Sequence, residues 1–351
     1  MSSVTVSIIL PSVTDSSKFN RLCSTALSGR LSVELIVCTD KTNLTSADLS
    51  EEYSDFISVV FAESIDAALK TAVINAKGQF IVFGNENAVY APEAFEKMIV
   101  ASQGKISACN VGFINSDGAS KLMSENFTVG DLGSAPVYCN YLISNDIIKK
   151  NSTVPCGADS LSIRLFISDC LRYENFVCFN EVLVYLTAET SDESITAIAY
   201  LPEYAEIFRL TGNSAATVCF INIVLSILLP NLTKENYAVL KTVVCSFKED
   251  VMLLEYIRSK YRIDVNLLCN ECSSFEDFIY DGKEVFYKEV TLPLLPDSVI
   301  RNFYSGKFGI DVLKKCIGAW MYFKFYRRKD DFMKKIGCKL SRKLLGGDFV
   351  G

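Results

Sequence analysis

Residues 67–98 read AALKTAVINAKGQFIVFGNENAVYAPEAFEKM, and this stretch decides the fold. Ile65, Ala68, Leu69, Ala72, Val73 and Ala76 recur at three- and four-residue spacing, the mark of a helix with one apolar face. Gly78 is expected to end that helix. Phe80–Phe83 is apolar throughout and too short for a helix, so it reads as a buried strand. It runs straight into the polar Gly84-Asn85-Glu86-Asn87. Pro92 suits the first turn of a further helix carrying Phe95, Met98 and Ile99.

The same alternation extends towards the N-terminus. Val4–Leu10 is a strand that stops at Pro11, Ser16–Leu27 a helix with Phe19, Leu22, Cys23, Ala26 and Leu27 inward, and Val33–Cys38 a second strand. Ile57–Phe61 supplies another. Strand–helix–strand units of this length build a parallel sheet with right-handed crossovers. In such sheets ligands bind beyond the carboxyl ends of the strands, where Ser12, Asp40 and Asn85 to Asn87 stand here. No GxGxxG follows the first strand and no Walker loop is present, which argues against a dinucleotide or P-loop site.

Composition narrows the chemistry. The 351 residues include 13 Cys and no His, so triads, Cys–His nucleophiles, zincin helices and zinc fingers are excluded. Acid and base work falls to carboxylates, Lys, Tyr or Cys. Most cysteines sit in apolar runs and are expected to be small buried hydrophobes in a reducing cytoplasm. Cys269 and Cys272 form one CxxC without a second pair at metal spacing, read as structural rather than zinc-binding. The N-terminus shows no basic leader or secretory core.

Beyond residue 195 the pattern is helical, over Tyr204–Leu210, Ala215–Leu229, Lys234–Phe247 and Val251–Tyr261. The 15-residue apolar run 215–229 is shorter than the ~20 residues of a membrane span and reads as the buried core of this helical region. From Lys314 to Lys343 there are 11 Lys+Arg against Asp330 and Asp331, a local +9 in a chain of −6 overall. Trp320, Tyr322, Phe323, Phe325, Tyr326 and Phe332 interleave with these cations. Such a segment suits an anionic membrane surface or docks on the acidic body of its own chain, with nucleic acid ranking below both.

The opening strand VSIILP, the strand ELIVCTD, the quoted stretch and the later segment CGADSLSIRLFISDCLRYENFVCFNEVLVYLTAETSDES together resemble the family 2 glycosyltransferases of GT-A fold, over roughly residues 4–195. The resemblance implies a three-layer α/β/α domain with a mostly parallel sheet (1–195), and the pattern of the residues beyond it adds a helical C-terminal domain (196–313) and the basic tail (314–351). It implies an inverting transfer of a sugar from a nucleotide-diphosphate donor, a UDP-sugar, to a glycan or lipid-linked acceptor of cell-surface polysaccharide. The place implied is the cytoplasm, with the tail on the inner face of the membrane. Pro11, Ser12 and Val13 would line the nucleoside pocket, Asp40 would hold the base, and Lys70 and Asn85 would meet the diphosphate. Glu86 and Asn87 would hold Mn²⁺ or Mg²⁺, and Asp159 would be the general base.

The sequence departs from the family pattern at several of these places. Asn replaces both aspartates of the DxD, Leu69-Lys70 stands for the usual Arg-Asn, and Ala158 precedes the base position. The QxxRW signature of processive synthases is missing, which excludes chain-synthesising membrane enzymes. These losses leave a second reading open, a catalytically degenerate relative acting as a binding or scaffold subunit. Each residue also has a plain structural role available: a turn at Asp40 and at Asn85 to Asn87, a helix cap at Asp159 and a solvated surface at Lys70.

Overall fold

The computed structural model describes residues 4–40, 51–114, 120–135, 137–151, 154–173, 176–187, 198, 200–229, 234–261, 263 and 265–270. Nine strands form one sheet: β1 (Val6–Leu10), β2 (Val33–Thr39), β3 (Ile57–Phe61), β4 (Phe80–Phe83), β5 (Ala88–Tyr90), β6 (Ile106–Ile114), β7 (Ser120–Leu122), β8 (Tyr141–Ser144) and β9 (Phe176–Thr187). Their order is β3-β2-β1-β4-β8-β6-β9-β5, with β7 paired to β6. β3, β2, β1 and β4 pair in parallel, as do β6 and β9. The pairings of β8, β7 and β5 are antiparallel. Six strands therefore run one way and three the other.

The helices are α1 (Ser16–Ala26), α2 (Ile65–Asn75), α3 (Ala94–Ser102), α4 (Asn145–Asn151), α5 (Ser160–Cys170), α6 (Leu201–Thr211), α7 (Ser214–Leu228), α8 (Lys234–Cys245), α9 (Val251–Tyr261) and α10 (Val265–Asn270). On one face of the sheet Val6, Ile8 and Leu10 of β1 pack with Phe19, Leu22 and Cys23 of α1 and Phe95 and Met98 of α3. On the other face lie α2 and α5, where the rings of Phe83 and Phe166 meet edge to face, 5.7 Å between centroids. Burial on both faces explains why β1 and β4 read as unbroken apolar runs rather than alternating ones.

The chain divides into two compact units: one of 1–197 and 211–223, the other of 198–210 and 224–351. In the first, α7 contributes Asn222, whose amide donates to the Gly130 and Leu132 carbonyls at 3.0 and 2.8 Å. The apolar run 215–229, expected as the core of the helical region alone, thus supplies core to the sheet-bearing unit up to Ile223. No helix among the described residues is long and apolar enough to cross a membrane.

Three further differences concern single positions or pairs. Gly78 does not close α2 by a left-handed turn, because Ala76 is the cap. It is needed for space: a Cβ there would lie 2.5 Å from the Ser7 nitrogen. Its N–H donates to the buried Ser7 hydroxyl, which itself donates to Glu34. Pro92 stands ahead of α3 rather than in its first turn, since Glu93 takes a left-handed φ of 60° and starts the helix one residue later. Finally, Cys245 of α8 and Cys269 of α10 form a disulfide, Cα–Cα 5.7 Å, where free thiols were expected. Cys272 and residues 314–351 lie outside the described residues.

Candidate active site

A helix joining two parallel strands of one sheet must run back along it, so α2, between β3 and β4 in the chain, begins at the carboxyl ends of the strands. The loops after β1 and β4 stand there, with Asp40 at the end of β2. Pro11 and Val13 are buried while Ser12 is exposed. Asp40 closes β2, its carbonyl accepting from the Thr39 hydroxyl at 3.2 Å. Lys70 is exposed on α2, which packs on β2.

Glu86 ties the β4 loop to the β1 loop. Its carboxylate accepts from the Thr14 N–H and hydroxyl, both at 2.6 Å, and from the Asp15 N–H at 3.1 Å. Asp15 in turn caps α1, accepting from the Ser17 N–H and hydroxyl at 2.8 and 2.7 Å and from the Lys18 N–H at 3.2 Å. The Ser17 hydroxyl, then the Lys18 N–H, hold the Asp15 carboxyl below its ordinary range. Asn85 accepts from the Asn87 N–H at 2.9 Å, an Asx turn, and its amide reaches the Tyr138 hydroxyl at 3.5 Å. The Thr187 hydroxyl lies 3.5 Å from the Asn87 side-chain oxygen.

These donor sets do not fit a resident divalent ion. Both oxygens of Glu86 are engaged by backbone and hydroxyl donors, and the Asn85 oxygen serves its own turn. Two neutral amides beside them add no charge to hold a hard cation. Among the described residues no group of three His, Cys, Asp or Glu is placed to hold a metal. In this structure Glu86 shapes the loop through Thr14 and Asp15, and the Asn87 N–H closes the Asx turn on Asn85.

Asp159 lies at the same end of the sheet. It is the N-cap of α5, accepting from the Ser162 N–H at 3.0 Å and the Ser162 hydroxyl at 2.6 Å. Both readings of Asp159 survive, because a capping carboxylate keeps lone pairs for a further donor. All residues from Leu161 to Cys170 are buried, so the carboxylate stands on a helix held by packing along its length. The exposed Cys156 thiol donates to the Ser162 oxygen at 3.3 Å. One turn of α2 before Lys70, Asp66 accepts from the Ala158 N–H at 2.8 Å.

The structure therefore joins the β1 loop to Glu86 and brings α2 to the Asp159 loop. Thr14, Asp15, Asp66, Tyr138 and Ser162 were missed in the sequence. Asp15 followed by Ser16-Ser17 was a capping signal that could have been read, whereas Asp66 to Ala158 spans 92 residues and left no local trace.

No protein-family model matches the sequence, and no curated protein matches it. Among solved structures, the chain is similar to S. aureus TarS with a TM-score of 0.52 at 13% identity, covering 80% of this chain and 56% of that one. A TarS 1-349 structure gives 0.48 at 14% identity over 93% and 95% of the two chains. A mannosyltransferase from Pyrobaculum calidifontis, PcManGT, in complex with GDP-Man and Mn2+, gives 0.43 at 12% over 72% and 76%. The chain spans little more than half the length of the first of these. The architecture is GT-A-like, an α/β/α sandwich with most strands pointing one way and a helical region following.

Proposed function

We propose that this chain is an inverting glycosyltransferase of hexosyltransferase type, moving a sugar from a UDP-sugar to a glycan or lipid-linked acceptor in cell-surface polysaccharide synthesis. The observation that carries the reading is the position of Asp159: a carboxylate on a buried helix, linked through Ala158 to α2 at the carboxyl ends of the parallel strands. The GT-A-like fold and the resemblance of residues 4–195 support it.

In this reading Asp40 holds the nucleobase and Pro11, Ser12 and Val13 wall the nucleoside. Asp159 takes the proton of an acceptor hydroxyl as its oxygen attacks the anomeric carbon. The bond from that carbon to the diphosphate breaks on the opposite face, which inverts the centre. Lys70 and the Asn85 amide meet the charge developing on the leaving diphosphate. No step is routed through a metal, because the residues of the β4 loop are engaged elsewhere. We place the nucleotide-sugar domain at 1–195, the helical domain at 196–313 and a membrane-contacting tail at 314–351, at the inner face of the membrane.

A second reading is a binding or scaffold subunit that keeps the fold without turnover. What favours it is Glu86, the one carboxylate of the degenerate motif, being engaged by Thr14 and Asp15. Calorimetry of UDP and UDP-sugars, with and without Mn²⁺, together with a radiolabelled transfer assay, separates the two. Binding with transfer supports the enzyme, binding without transfer supports the subunit, and no binding under either condition removes the transferase reading.

A further inference from the structure

We propose that Asp66 is a positioning residue for Asp159, an inference that rests on the transferase reading and deepens it. Asp66 sits in the first turn of α2, yet it does not cap its own helix. That role belongs to Ser64, whose hydroxyl oxygen accepts from the Ala67 N–H at 3.3 Å. The Asp66 carboxylate instead crosses to the neighbouring helix start and accepts from the Ala158 N–H, one residue before Asp159, at 2.8 Å.

The junction is tight. A Cβ on buried Gly157 would lie 2.9 Å from Asp159 Oδ2, 3.0 Å from Ser162 Oγ and 3.5 Å from Asp66 Oδ1. A side chain at 157 would press on the Asp159 and Ser162 oxygens, with the Asp66 oxygen in van der Waals contact. Two carboxylates so near one another would repel in a neutral setting. Here each stands at the N-terminus of an 11-residue helix, where the peptide dipoles favour negative charge.

The Ser162 bonds orient the Asp159 carboxylate relative to α5. The Asp66 bond orients the loop that carries it relative to α2, the helix on which Lys70 stands. Asp66 thereby sets the distance between the group that takes the acceptor proton and the group that meets the donor phosphate. A shift of about 1 Å in such a distance costs up to roughly a hundredfold in rate.

The test uses the full chain and two readouts, amide hydrogen exchange of a peptide covering Ala158 and steady-state transfer from a UDP-sugar. Asp66→Ala is expected to raise Ala158 exchange about tenfold, the loss of one charge-assisted hydrogen bond. It is also expected to lower kcat by about tenfold or more with the donor KM unchanged. Asp66→Asn, which keeps an acceptor oxygen, restores both. Asp66→Glu folds with its charge intact but moves the oxygen by one methylene, and it is expected to lose kcat as the alanine variant does. Unchanged exchange in Asp66→Ala overturns the proposal, and so does faster exchange with unchanged kcat. A loss in Asp66→Asn that Asp66→Glu does not share assigns the effect to charge and also overturns it. A wild-type chain that transfers nothing removes the transferase reading itself, whereas an active wild type with an unaffected Asp66→Ala removes only the role of Asp66.

Discussion

Glu86 holds Thr14. This carboxylate of the β4 loop grips the N–H and hydroxyl of a residue 72 positions earlier, and so braces the loop that walls the expected nucleoside pocket. Glu86→Ala is expected to destabilise the chain by about 1 kcal/mol, water replacing part of the lost bonding at this half-exposed site. It is also expected to weaken UDP binding equally with and without Mn²⁺. A loss confined to the Mn²⁺ titration would show instead that Glu86 ligates the metal.

Asp159→Asn is expected to leave UDP affinity and the melting temperature nearly unchanged, since asparagine caps a helix as well as aspartate does. Transfer should fall by about 10²–10⁴-fold with the loss of the base. Full turnover in this variant would refute the assignment of Asp159.

Burial pushes the thiols of Cys23, Cys38, Cys139 and Cys178 up to about 12, with Cys109 raised as well. Among the described free thiols Cys156 is the exposed one, so brief alkylation at pH 8 followed by peptide mapping should mark it first. The sign of the linkage follows from the raised values. Stability is complete below the unfolded thiol value of about 8.5 and is lost as pH climbs towards 12. Melting temperatures between pH 7 and 11 should decline on the alkaline side, and replacing Cys23 with alanine should blunt that decline.

The Cys245–Cys269 disulfide closes a 24-residue separation within the second unit. Chain-entropy arguments give such a closure about 3 kcal/mol. Thermal scans with and without a phosphine reductant should show a lower transition on reduction, and Cys245→Ser should remove that difference. Identical scans of the wild type in both conditions would mean the bond does not stabilise the unit.

The segment from Lys314 to Lys343 carries its +9 beside six aromatics. Co-sedimentation with vesicles containing anionic lipid should retain the full chain and release a chain ending at residue 313, with retention falling as salt rises. Equal partitioning of the two would leave the basic tail without a membrane role.

The first four strands and the first three helices were legible because each is a short apolar segment bounded by Pro, Gly or a polar turn. The strands of the second half were harder to read. β6 takes its neighbours from β7, β8 and β9, and such pairing leaves no periodicity within any one segment. β5, three residues long, is a strand only because β9 lies beside it.

The sequence by itself determined the class of architecture, the end of the sheet where a site can lie, and the chemistry excluded by the absence of histidine. These depend on local pattern and residue type. Only the tertiary structure decided that Glu86 grips the Thr14 loop instead of standing open, that Cys269 pairs with Cys245, and that Asp66 meets the loop of Asp159. Those are contacts between segments 24 to 92 residues apart, and a hydrogen bond acts over about 3 Å of space whatever the length of chain between its partners.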